Sequence, residues 1–542
     1  MSYFNKKKIV PTVTNYAGGV AYTQSDRIAL LNAVVTSLGS DSTYESFNHK
    51  YLRIEELVSK CDAEFVAKLA VYARKNFNVR TLPIILLTLL AKKFAGSPYI
   101  RLATRNTISR ADELSEVLIA YARLNNHNNT KILNKLNNGI RRGIADAFHK
   151  FDEYQFAKYK KSDKEVSLKD TLFITHPKPF NNKEKELFEK IANDKLESPD
   201  TWEVSRTSIG QKKLSEEDKK QAMRESWSDL VNRNKLGYMA MLRNLKNMLL
   251  DGIDSDTLDK VLSYLSNPTN IKKSKQFPYR FYSAYKVIKE LQDKGVDLSY
   301  KNKNGGYSSS VTTIDLGNES KYIANKDIYA NIYKCLETCA MHSVENIPGF
   351  EDPNLSICIA ADVSGSMDSK LSENSDMTLK ELALLMSILV AKKSKNNDYL
   401  LFASKVGRAD IGNSSKNVFE LVNTLMNYKD LGYSTYLNNV FDELVNVYKK
   451  FDKIYVFTDM QVYTYDGKTT SSAWNKYRST INDKCKLICV DLAGHGTDFA
   501  SHGSNAVTVS GFSDATFKMV ELVDQVNSNA GIIKEIISIE LK

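Results

Sequence analysis

A carboxylate and two hydroxyls occupy alternate positions in the stretch IAADVSGSMDSK, residues 359–370. They belong to Asp362, Ser364 and Ser366, and Gly365 eases the sharp turn that would bring their oxygens to one point. Oxygen ligands of this kind suit a hard divalent cation and suit zinc poorly. The stretch therefore predicts a metal site. The alternative is a polar turn in which a serine caps the following helix.

One loop does not supply enough ligands for a divalent cation, and two more oxygen-bearing residues follow. Thr435 lies in LGYSTYLNN between two helical patterns, and Asp459 ends the strand-like run KIYVFTD. Ligands of parallel α/β sheets bind outside the carboxyl ends of the strands, where we expect both residues. The predicted cofactor is Mg²⁺ or another divalent cation such as Mn²⁺. The predicted ligands are Asp362, Ser364, Ser366, Thr435 and Asp459.

Strands and helices that could position these residues alternate after Pro348. This alternation predicts a doubly wound parallel sheet with helices on both faces. Strand-like runs lie at 355–361, 398–404, 453–459 and 486–493, with a weaker run at 507–511. Helical patterns lie at 378–395, 416–427, 437–450 and 514–527.

The preceding part of the chain, from residue 25 to about residue 341, has helical periodicity. The segments AEFVAKLAVYARKNF and DELSEVLIAYARLNN repeat YAR at 72–74 and at 121–123. This spacing is close to that of helical-hairpin repeats such as HEAT, so we expect an array of antiparallel helix pairs. The predicted fold class is α + α/β. A HEAT-like helical-repeat domain forms residues 1–347, and a doubly wound parallel-sheet domain forms residues 348–542.

Charge is distributed unevenly along the chain. Residues 1–350 hold 55 basic and 40 acidic residues, whereas residues 351–542 hold 20 basic and 24 acidic ones. Only the first part has the charge expected of a protein that binds a polyanion. A generally solvated, lysine-rich surface is the alternative.

Enzymatic activity is not indicated by the sequence. Neither Ser364 nor Ser366 lies in a G-x-S-x-G elbow, and P-loop and Rossmann glycine patterns are absent. The six cysteines form no C-x-x-C pair, and we interpret them as reduced core residues. The longest apolar stretch, residues 81–91, is too short to cross a bilayer, and the amino terminus has no apolar signal segment. A cytoplasmic location is expected.

The five predicted metal ligands resemble the metal-ion-dependent adhesion site (MIDAS) of von Willebrand factor A domains. The order of strands and helices over residues 350–542 fits that fold. The resemblance implies that one coordination position stays open for an acidic group from a partner. This site alone indicates that the protein binds a partner, but it does not indicate which partner.

The helical part resembles the TROVE module of the Ro ribonucleoprotein family over most of residues 15–345. The segments that carry the resemblance are NYAGGVAYTQSDRIALLNAVVTSLGSDSTY, EFVAKLAVYARKNFNVRTLPIILL and KLGYMAMLRNLKNM. It implies a ring of helical repeats, with small structured Y RNAs on the outer basic surface and single-stranded ends of misfolded RNA in the hole. A von Willebrand factor A domain after this module is the architecture of the family.

Candidate RNA-binding residues follow from the same resemblance. The stretch FAKYKKSDKEVSLKDTLFITHPKP resembles the family segment that contacts the Y RNA stem. It implies phosphate contacts for the lysines and hydrogen bonding or stacking for the histidine. The basic face would extend to Arg141 and Arg142 upstream. Lys235, Arg243 and Lys246 would lie at the hole or its rim. The candidates are Lys158, Lys160, Lys161, His176, Arg141, Arg142, Lys235, Arg243 and Lys246. For each lysine the alternative is a solvated side chain, and for Arg243 it is a pair with a buried acid.

The expected function is non-coding RNA binding, in RNA quality control or as a ribonucleoprotein scaffold. Expected partners are Y RNA-like RNA, the 3′ ends of misfolded RNA, and a ribonuclease or another protein. We expect no membrane and a monomer. The alternative is a metal-dependent protein-binding scaffold without an RNA role.

Overall fold

The computed structural model has the predicted α + α/β fold class, with helices up to residue 342 and strands alternating with helices from residue 357. It describes residues 13–36, 47–125, 135–160, 165–199, 201–294, 300–301, 307–308, 326–344, 352–371, 376–428, 430–464, 467–500, 505–526 and 530–542.

The helical part begins after a short hairpin of strands β1 (Val13–Thr14) and β2 (Val20–Thr23). A two-stranded pair, β3 (Tyr300–Lys301) and β4 (Tyr307–Ser308), comes before its last helix. The helices are α1 (Asp26–Val35), α2 (Phe47–Lys60), α3 (Ala63–Lys75), α4 (Thr81–Lys93), α5 (Tyr99–Thr107), α6 (Ala111–Leu124), α7 (Asn138–Phe148), α8 (Glu153–Tyr159), α9 (Leu168–Thr175), α10 (Asn182–Ala192), α11 (Trp202–Gln211), α12 (Glu216–Asn232), α13 (Tyr238–Asp251), α14 (Ser255–Ser266), α15 (Pro268–Ser274), α16 (Pro278–Lys294) and α17 (Lys326–His342).

The longest apolar stretch of the sequence forms α4, which is buried along most of its length. In the described part of the chain, no helix is both long enough and apolar enough to cross a membrane. All six cysteines are buried and carry free thiols, as predicted.

The two YAR copies differ in environment although both lie on helices. Arg74, at the end of α3, is buried and forms an ion pair of 2.7 Å with Glu113 of α6. Arg123, in the second copy, is exposed and pairs with the exposed Glu165. The repeat in sequence therefore yields one structural ion pair and one solvated ion pair.

The α/β part forms one six-stranded sheet. Its strands are β5 (Ile357–Asp362), β6 (Asn397–Phe402), β7 (Val406–Ala409), β8 (Lys453–Thr458), β9 (Lys486–Asp491) and β11 (Ala506–Ser510). They lie in the order β11-β9-β8-β5-β6-β7. Neighbouring strands are parallel except the edge strand β7, which is antiparallel to β6 and was not predicted. The predicted strands agree with five of these within two residues at each end.

Helices surround this sheet, as the doubly wound pattern requires. They are α18 (Leu379–Lys393), α19 (Val418–Met426), α20 (Asn438–Asn446), α21 (Thr470–Thr480), α22 (Asp514–Val526) and α23 (Ala530–Ile537). Every residue of β5 is buried, which is expected of a central strand covered on both faces. On one face, alternate residues of β5 contact a core that includes Phe441, Trp474 and Tyr477.

The chain divides into two compact units. One comprises Met1–Glu197, Asn346–Lys416 and Glu420–Lys542, so that helices α1–α10 and the sheet belong to the same unit. The other comprises Ser198–Glu345 and Asn417–Phe419, with helices α11–α17. Within the first unit, strand β2 also pairs antiparallel with β10 (Thr497–Asp498). The predicted domain boundary at residues 347 and 348 stays a prediction.

Candidate metal centre and RNA-binding surface

Asp362 is the last residue of β5, and its side chain is completely buried. One carboxylate oxygen accepts the backbone N–H of Ser364 at 2.9 Å. The other accepts the hydroxyl of Thr458, the last residue of the neighbouring strand β8, at 2.6 Å. These two hydrogen bonds fix the orientation of the carboxylate at the carboxyl edge of the sheet.

Ser364 and Ser366 lie in the tight turn that follows β5, where Gly365–Asp368 form a short 3-10 helix. Both serines are buried, and their hydroxyl oxygens lie 3.4 Å apart. The backbone N–H of Gly365 donates to the carbonyl of Tyr433 at 2.9 Å, which ties this turn to the loop that carries Thr435. The serine hydroxyls are thus held close together, as the sequence predicts.

Thr435 and Asp459 are brought to the same edge by two connected loops. Thr435 is buried, and its carbonyl accepts the backbone N–H of Tyr463 at 2.9 Å. Asp459 directly follows β8, and its carboxylate accepts the backbone N–H of Gln461 at 3.0 Å. All five predicted ligands are therefore buried, with Asp362 at the end of β5 and the other four on turns and loops that are hydrogen-bonded to one another.

Two buried carboxylates dominate the electrostatics of this centre. Burial, followed by the negative charge of Asp459, raises the pKa of Asp362 to about 7. In the described part of the chain, neither carboxylate forms an ion pair with a lysine or arginine. That part also contains no cluster of three or more His, Cys, Asp or Glu side chains suited to a metal. Two carboxylates with three hydroxyls instead form the all-oxygen donor set that Mg²⁺ or Mn²⁺ prefers.

Two residues that shape this centre were not identified from the sequence. The apolar run KIYVFTD predicts Thr458 only as part of a strand, although a threonine directly before Asp459 is a signal for a hydroxyl at the strand end. Gly432 has φ +81°, and a Cβ there would lie 2.6 Å from the hydroxyl of Ser404. The role of Gly432 depends on the conformation of the loop that carries Thr435, and the spacing of residues in the sequence does not reveal that conformation.

The hairpin of β1 and β2 supports the loop after Asp459. The side-chain amide of Asn15 donates to the carbonyl of Val462 at 2.7 Å. The backbone N–H of Val20 donates to the hydroxyl of Thr464 at 2.9 Å. A Cβ on Gly19 would lie 2.0 Å from the carbonyl oxygen of Val462, so only glycine permits this approach. Residues near the start of the chain therefore hold the loop that follows a predicted metal ligand.

The candidates from the Y RNA-like segment lie on α7, α8 and α9, which all pack against α6. Arg142 of α7, Lys158 of α8 and His176 after α9 are exposed, while Arg141 is half-buried and donates to Asn138. His176 ends its helix with φ +50°. The structure thus places these candidates on neighbouring helices of the first unit.

Local partners distinguish the lysines of α8. Lys158 lies 5.7 Å from the ring centroids of both Tyr154 and Tyr159, without an ion pair in the described part of the chain. Lys160 is also exposed but pairs with Asp194 at 3.3 Å. Lys161 lies outside the described residues. Lys158 is therefore more available to a phosphate than Lys160.

An exposed aromatic surface beside His176 was not predicted. Phe180 is 77% exposed and stacks on His149, with ring centroids 3.7 Å apart and ring planes 15° apart. His149 also contacts the carboxylate of Glu184 at 3.1 Å. The signal in the sequence is the phenylalanine that closes THPKPF, a polar segment in which an apolar ring has no core to join.

The remaining candidates lie in the second unit. Lys235 precedes α13, and Arg243 and Lys246 lie on it. Lys235 and Arg243 are exposed, and Lys246 is half-buried. Among the described residues Arg243 forms no ion pair, so the proposed pair with a buried acid is not observed there.

Comparison with known proteins matches the TROVE domain over residues 20–225 and 194–343, and the Ro60 vWA domain over residues 356–522. The chain belongs to the TROVE-domain Ro family. Members of this family are RNA-binding proteins of the ribonucleoprotein class. This confirms the family resemblance identified from the sequence.

Individual relatives of this Ro-family chain are distant. Telomerase protein component 1 of Mus musculus is 24% identical over 339 residues, and that of Rattus norvegicus is 23% identical over 339 residues. Each alignment covers 50% of this chain and only 13% of the relative. The crystal structure of the Deinococcus radiodurans Ro (RSR) protein is 18% identical, with a TM-score of 0.56. The structural alignment covers 91% of this chain and 99% of the Deinococcus radiodurans chain, which shows that the two share a fold.

Proposed function

We propose that this Ro-family protein binds small structured non-coding RNA of the Y RNA type on the surface formed by α7, α8 and α9. The observation that carries the proposal is the exposure of Arg142, Lys158 and His176 on three helices that share α6 as a neighbour. We further propose that it accepts single-stranded 3′ ends of misfolded RNA and acts in RNA quality control or as a ribonucleoprotein scaffold.

Contacts with RNA phosphates would supply the affinity, and recognition of the shape of the RNA would supply the selectivity. A-form stems hide the base edges of their major groove from side chains, so proteins recognise them through phosphates, 2′-hydroxyls and unpaired bases. Arg142 and Lys158 supply positive charge for phosphates, and Lys158 lies beside two tyrosine rings. His176 and the exposed face of Phe180 supply groups for hydrogen bonding and stacking with an unpaired base.

Salt-dependent binding of a labelled stem-loop RNA to the full chain tests this surface. Arg142→Ala with Lys158→Ala should lower the slope of log affinity against log salt by about 1.8, because each lost phosphate contact contributes about 0.9. Lys212→Ala with Lys213→Ala removes the same charge from exposed positions of the second unit and is the matched control. Equal slopes for the two double variants would exclude this surface. Weak binding by the wild-type chain itself would exclude the proposed function.

We also propose that the centre formed by Asp362, Ser364, Ser366, Thr435 and Asp459 holds Mg²⁺ or Mn²⁺. The support is their burial together and the absence of a cationic side chain paired with either carboxylate in the described residues. A bound cation would supply positive charge for an acidic group of a partner. The chain's own residues hold the donor oxygens in place and exclude water around them.

Thermal unfolding in the presence and absence of Mg²⁺ tests the metal centre directly. Saturation at one hundred times the Kd stabilises a protein by about 2.7 kcal/mol, which raises the thermal midpoint. Asp459→Asn should abolish this rise. Asp368→Asn is the control, since Asp368 lies in the same loop but is exposed and paired with Lys380. A rise of equal size in both variants would show that the cation binds elsewhere.

The six buried free thiols support a reducing compartment, and we propose a cytoplasmic location.

A further inference from the structure

The hairpin of β1 and β2 is closed by its own hydrogen bonds. The backbone N–H of Asn15 donates to the carbonyl of Gly19 at 2.9 Å, and the N–H of Gly19 donates to the side-chain oxygen of Asn15 at 2.8 Å. The N–H of Gly18 also donates to the carbonyl of Asn15 at 3.0 Å. Since these bonds lie within the turn, the hairpin docks onto the α/β part as one piece. It docks against residues 459–464, which we call the Asp459 loop.

Gln461 connects the hairpin to a predicted metal ligand. Its backbone N–H donates to the carboxylate of Asp459 at 3.0 Å. Its side-chain oxygen accepts the backbone N–H of Tyr16 at 2.8 Å. A single residue therefore lies between the carboxylate and the hairpin, so a change in the position of one affects the hydrogen bonds of the other.

Burial makes the hydrogen bond between Gln461 and Tyr16 costly to lose. The side chain of Gln461 is completely buried, and its amide nitrogen has no hydrogen-bond partner among the residues that the structure describes. Within that part of the chain, the N–H of Tyr16 is thus the one hydrogen-bond partner of this side chain. A buried polar group without a partner destabilises the fold. Undocking of the hairpin would therefore leave a buried amide unsatisfied two residues from Asp459.

The Asp459 loop also contacts Thr435, a second predicted ligand. The carbonyl of Thr435 accepts the backbone N–H of Tyr463 at 2.9 Å. The preceding residue, Val462, has its carbonyl oxygen 2.0 Å from the position that a Cβ on Gly19 would occupy. The hairpin thus packs tightly on the segment that joins two of the five donor residues.

On its other side, the hairpin continues into the helical part. Strand β2 pairs with β10 and leads directly to α1. Gln24, between β2 and α1, donates to Asp498 at 2.8 Å and accepts the side-chain amide of Asn32 at 2.9 Å. All three side chains are buried. A movement of the hairpin would therefore reach the first helix of the chain through buried hydrogen bonds.

We propose that cation binding at the metal centre and docking of the hairpin stabilise each other, so that the state of the metal centre controls the order of the start of the helical part. The proposal rests on the proposed function of the metal centre. Asp459, once its carboxylate is held by a cation, keeps the Asp459 loop in the position that docks the hairpin. The docked hairpin in turn keeps Asp459 in place. Two binding events coupled in this way change each other's equilibrium by the same factor.

Hydrogen exchange of the full chain, with and without saturating Mg²⁺, tests the coupling. The backbone amides of Tyr16 and Val20 both donate to the Asp459 loop, so they exchange when the hairpin undocks. Mg²⁺ should slow their exchange by about 5- to 150-fold, the usual range of coupling between two sites. Asp459→Asn should abolish this slowing. The amide of Asp170, which donates to the hydroxyl of Ser167 at 3.0 Å at the start of α9, is the control and should not respond.

Titration calorimetry with Mg²⁺ measures the same coupling from the other direction. Gly19→Ala pushes the hairpin away from the Asp459 loop. It should raise the Kd for Mg²⁺ at least about fivefold, and by no more than the factor found from hydrogen exchange. Gly96→Ala is the matched control, because neither glycine has a left-handed backbone and a Cβ on Gly96 would meet no heavy atom within 4 Å. This control should bind Mg²⁺ as the wild type does.

A second variant separates the coupling from the folding of the hairpin. Gln461→Met keeps the backbone N–H that donates to Asp459 but removes the acceptor for Tyr16. Mg²⁺ should therefore slow the Tyr16 amide less in this variant than in the wild type. If Gly19→Ala does not fold, this comparison decides, and equal slowing in Gln461→Met and the wild type would exclude the coupling.

The remaining outcomes distinguish the coupling from the metal centre itself. Unchanged exchange of Tyr16 and Val20, in a wild-type chain that Mg²⁺ stabilises, would exclude the coupling and leave the metal centre intact. A wild-type Kd in Gly19→Ala, or an equal rise of the Kd in Gly96→Ala, would also exclude it. If Mg²⁺ neither stabilises the wild-type chain nor binds to it in calorimetry, the proposed metal centre fails and the coupling fails with it.

Discussion

Replacing Arg74 by methionine should destabilise the helical part of the first unit far more than the same change at Arg123. Arg74 donates to Glu113 at 2.7 Å, and the two side chains are only 8% and 1% exposed. Arg123 donates to Glu165 at the same distance, but these side chains are 68% and 56% exposed. Both arginines come from the repeated YAR, so the comparison varies the environment and keeps the residue.

The size of the effect follows from what each variant leaves behind. Removing one partner of a buried ion pair costs about 3–5 kcal/mol, because a buried charge loses its partner. The remaining carboxylate of Glu113 would still accept the backbone N–H of Ser109 at 2.7 Å and lie 3.7 Å from Arg80. We therefore expect the lower end for Arg74→Met, about 3 kcal/mol. For Arg123→Met we expect less than about 1 kcal/mol, as for exposed ion pairs generally.

Urea unfolding monitored by circular dichroism, together with hydrogen exchange of the α3 and α6 amides, would measure both changes. Hydrogen exchange is needed because a chain with two compact units does not have to unfold in one step. The double variant Arg74→Met with Glu113→Met should be less destabilised than the sum of the single variants, since it leaves no buried charge. Equal costs for Arg74→Met and Arg123→Met would refute the assignment of Arg74 to a structural ion pair.

Two further predictions concern the α/β part of the chain. Gly432→Ala should weaken Mg²⁺-dependent stabilisation and lower the thermal midpoint, because its left-handed backbone disfavours a side chain and a Cβ would clash with Ser404. The second concerns Asp491, whose pKa is raised by burial against the opposing effect of the hydrogen bonds that it accepts from the backbone N–H groups of Gly494 and Ala493. The folded state then holds this proton more tightly than the unfolded chain, so the free energy of unfolding should fall as pH rises from about 4 to the folded pKa. Across this pH range, the thermal midpoint of Asp491→Asn should fall less than that of the wild type, because the variant lacks the carboxyl that titrates there.

A glycine outside the metal centre provides the control for Gly432→Ala. A Cβ on Gly412 would meet no heavy atom within 4 Å, so Gly412→Ala should retain the stabilisation by Mg²⁺ that Gly432→Ala loses. A Gly432→Ala variant with normal Mg²⁺ response would contradict the role given to that loop. An identical pH profile in Asp491→Asn and the wild type would show that other carboxyls control the decrease.

The sequence was sufficient for the fold class because its two periodicities are strong. Four buried parallel strands appear as short apolar runs that end in polar residues, and α4 is apolar along most of its length. The antiparallel edge strand β7 was missed because VGRA has no apolar alternation. Helix α21 was missed because its sequence, TSSAWNKYRST, buries chiefly Trp474 and Tyr477 and is polar elsewhere.

The five proposed metal ligands could be named from the sequence because they follow strand-like runs or lie in the loop between two helical patterns. Contacts between distant segments could not be named, since they depend on tertiary packing rather than on spacing. The ion pair between Lys160 and Asp194 and the stacking of Phe180 on His149 both join separate helices. Sequence could therefore name lysines for RNA binding but not rank Lys158 above Lys160.

The pairing of β2 with β10 determines when this protein can finish folding on the ribosome. Gln24, directly after β2, donates from its side chain to Asp498 of β10, 474 residues further along. At translation rates of about 5–20 residues per second, the first strands wait roughly 24–95 s for their partner. During that interval the edge of β2 has no strand on one side, and nascent chains held close together on a polysome would be exposed to mispairing there.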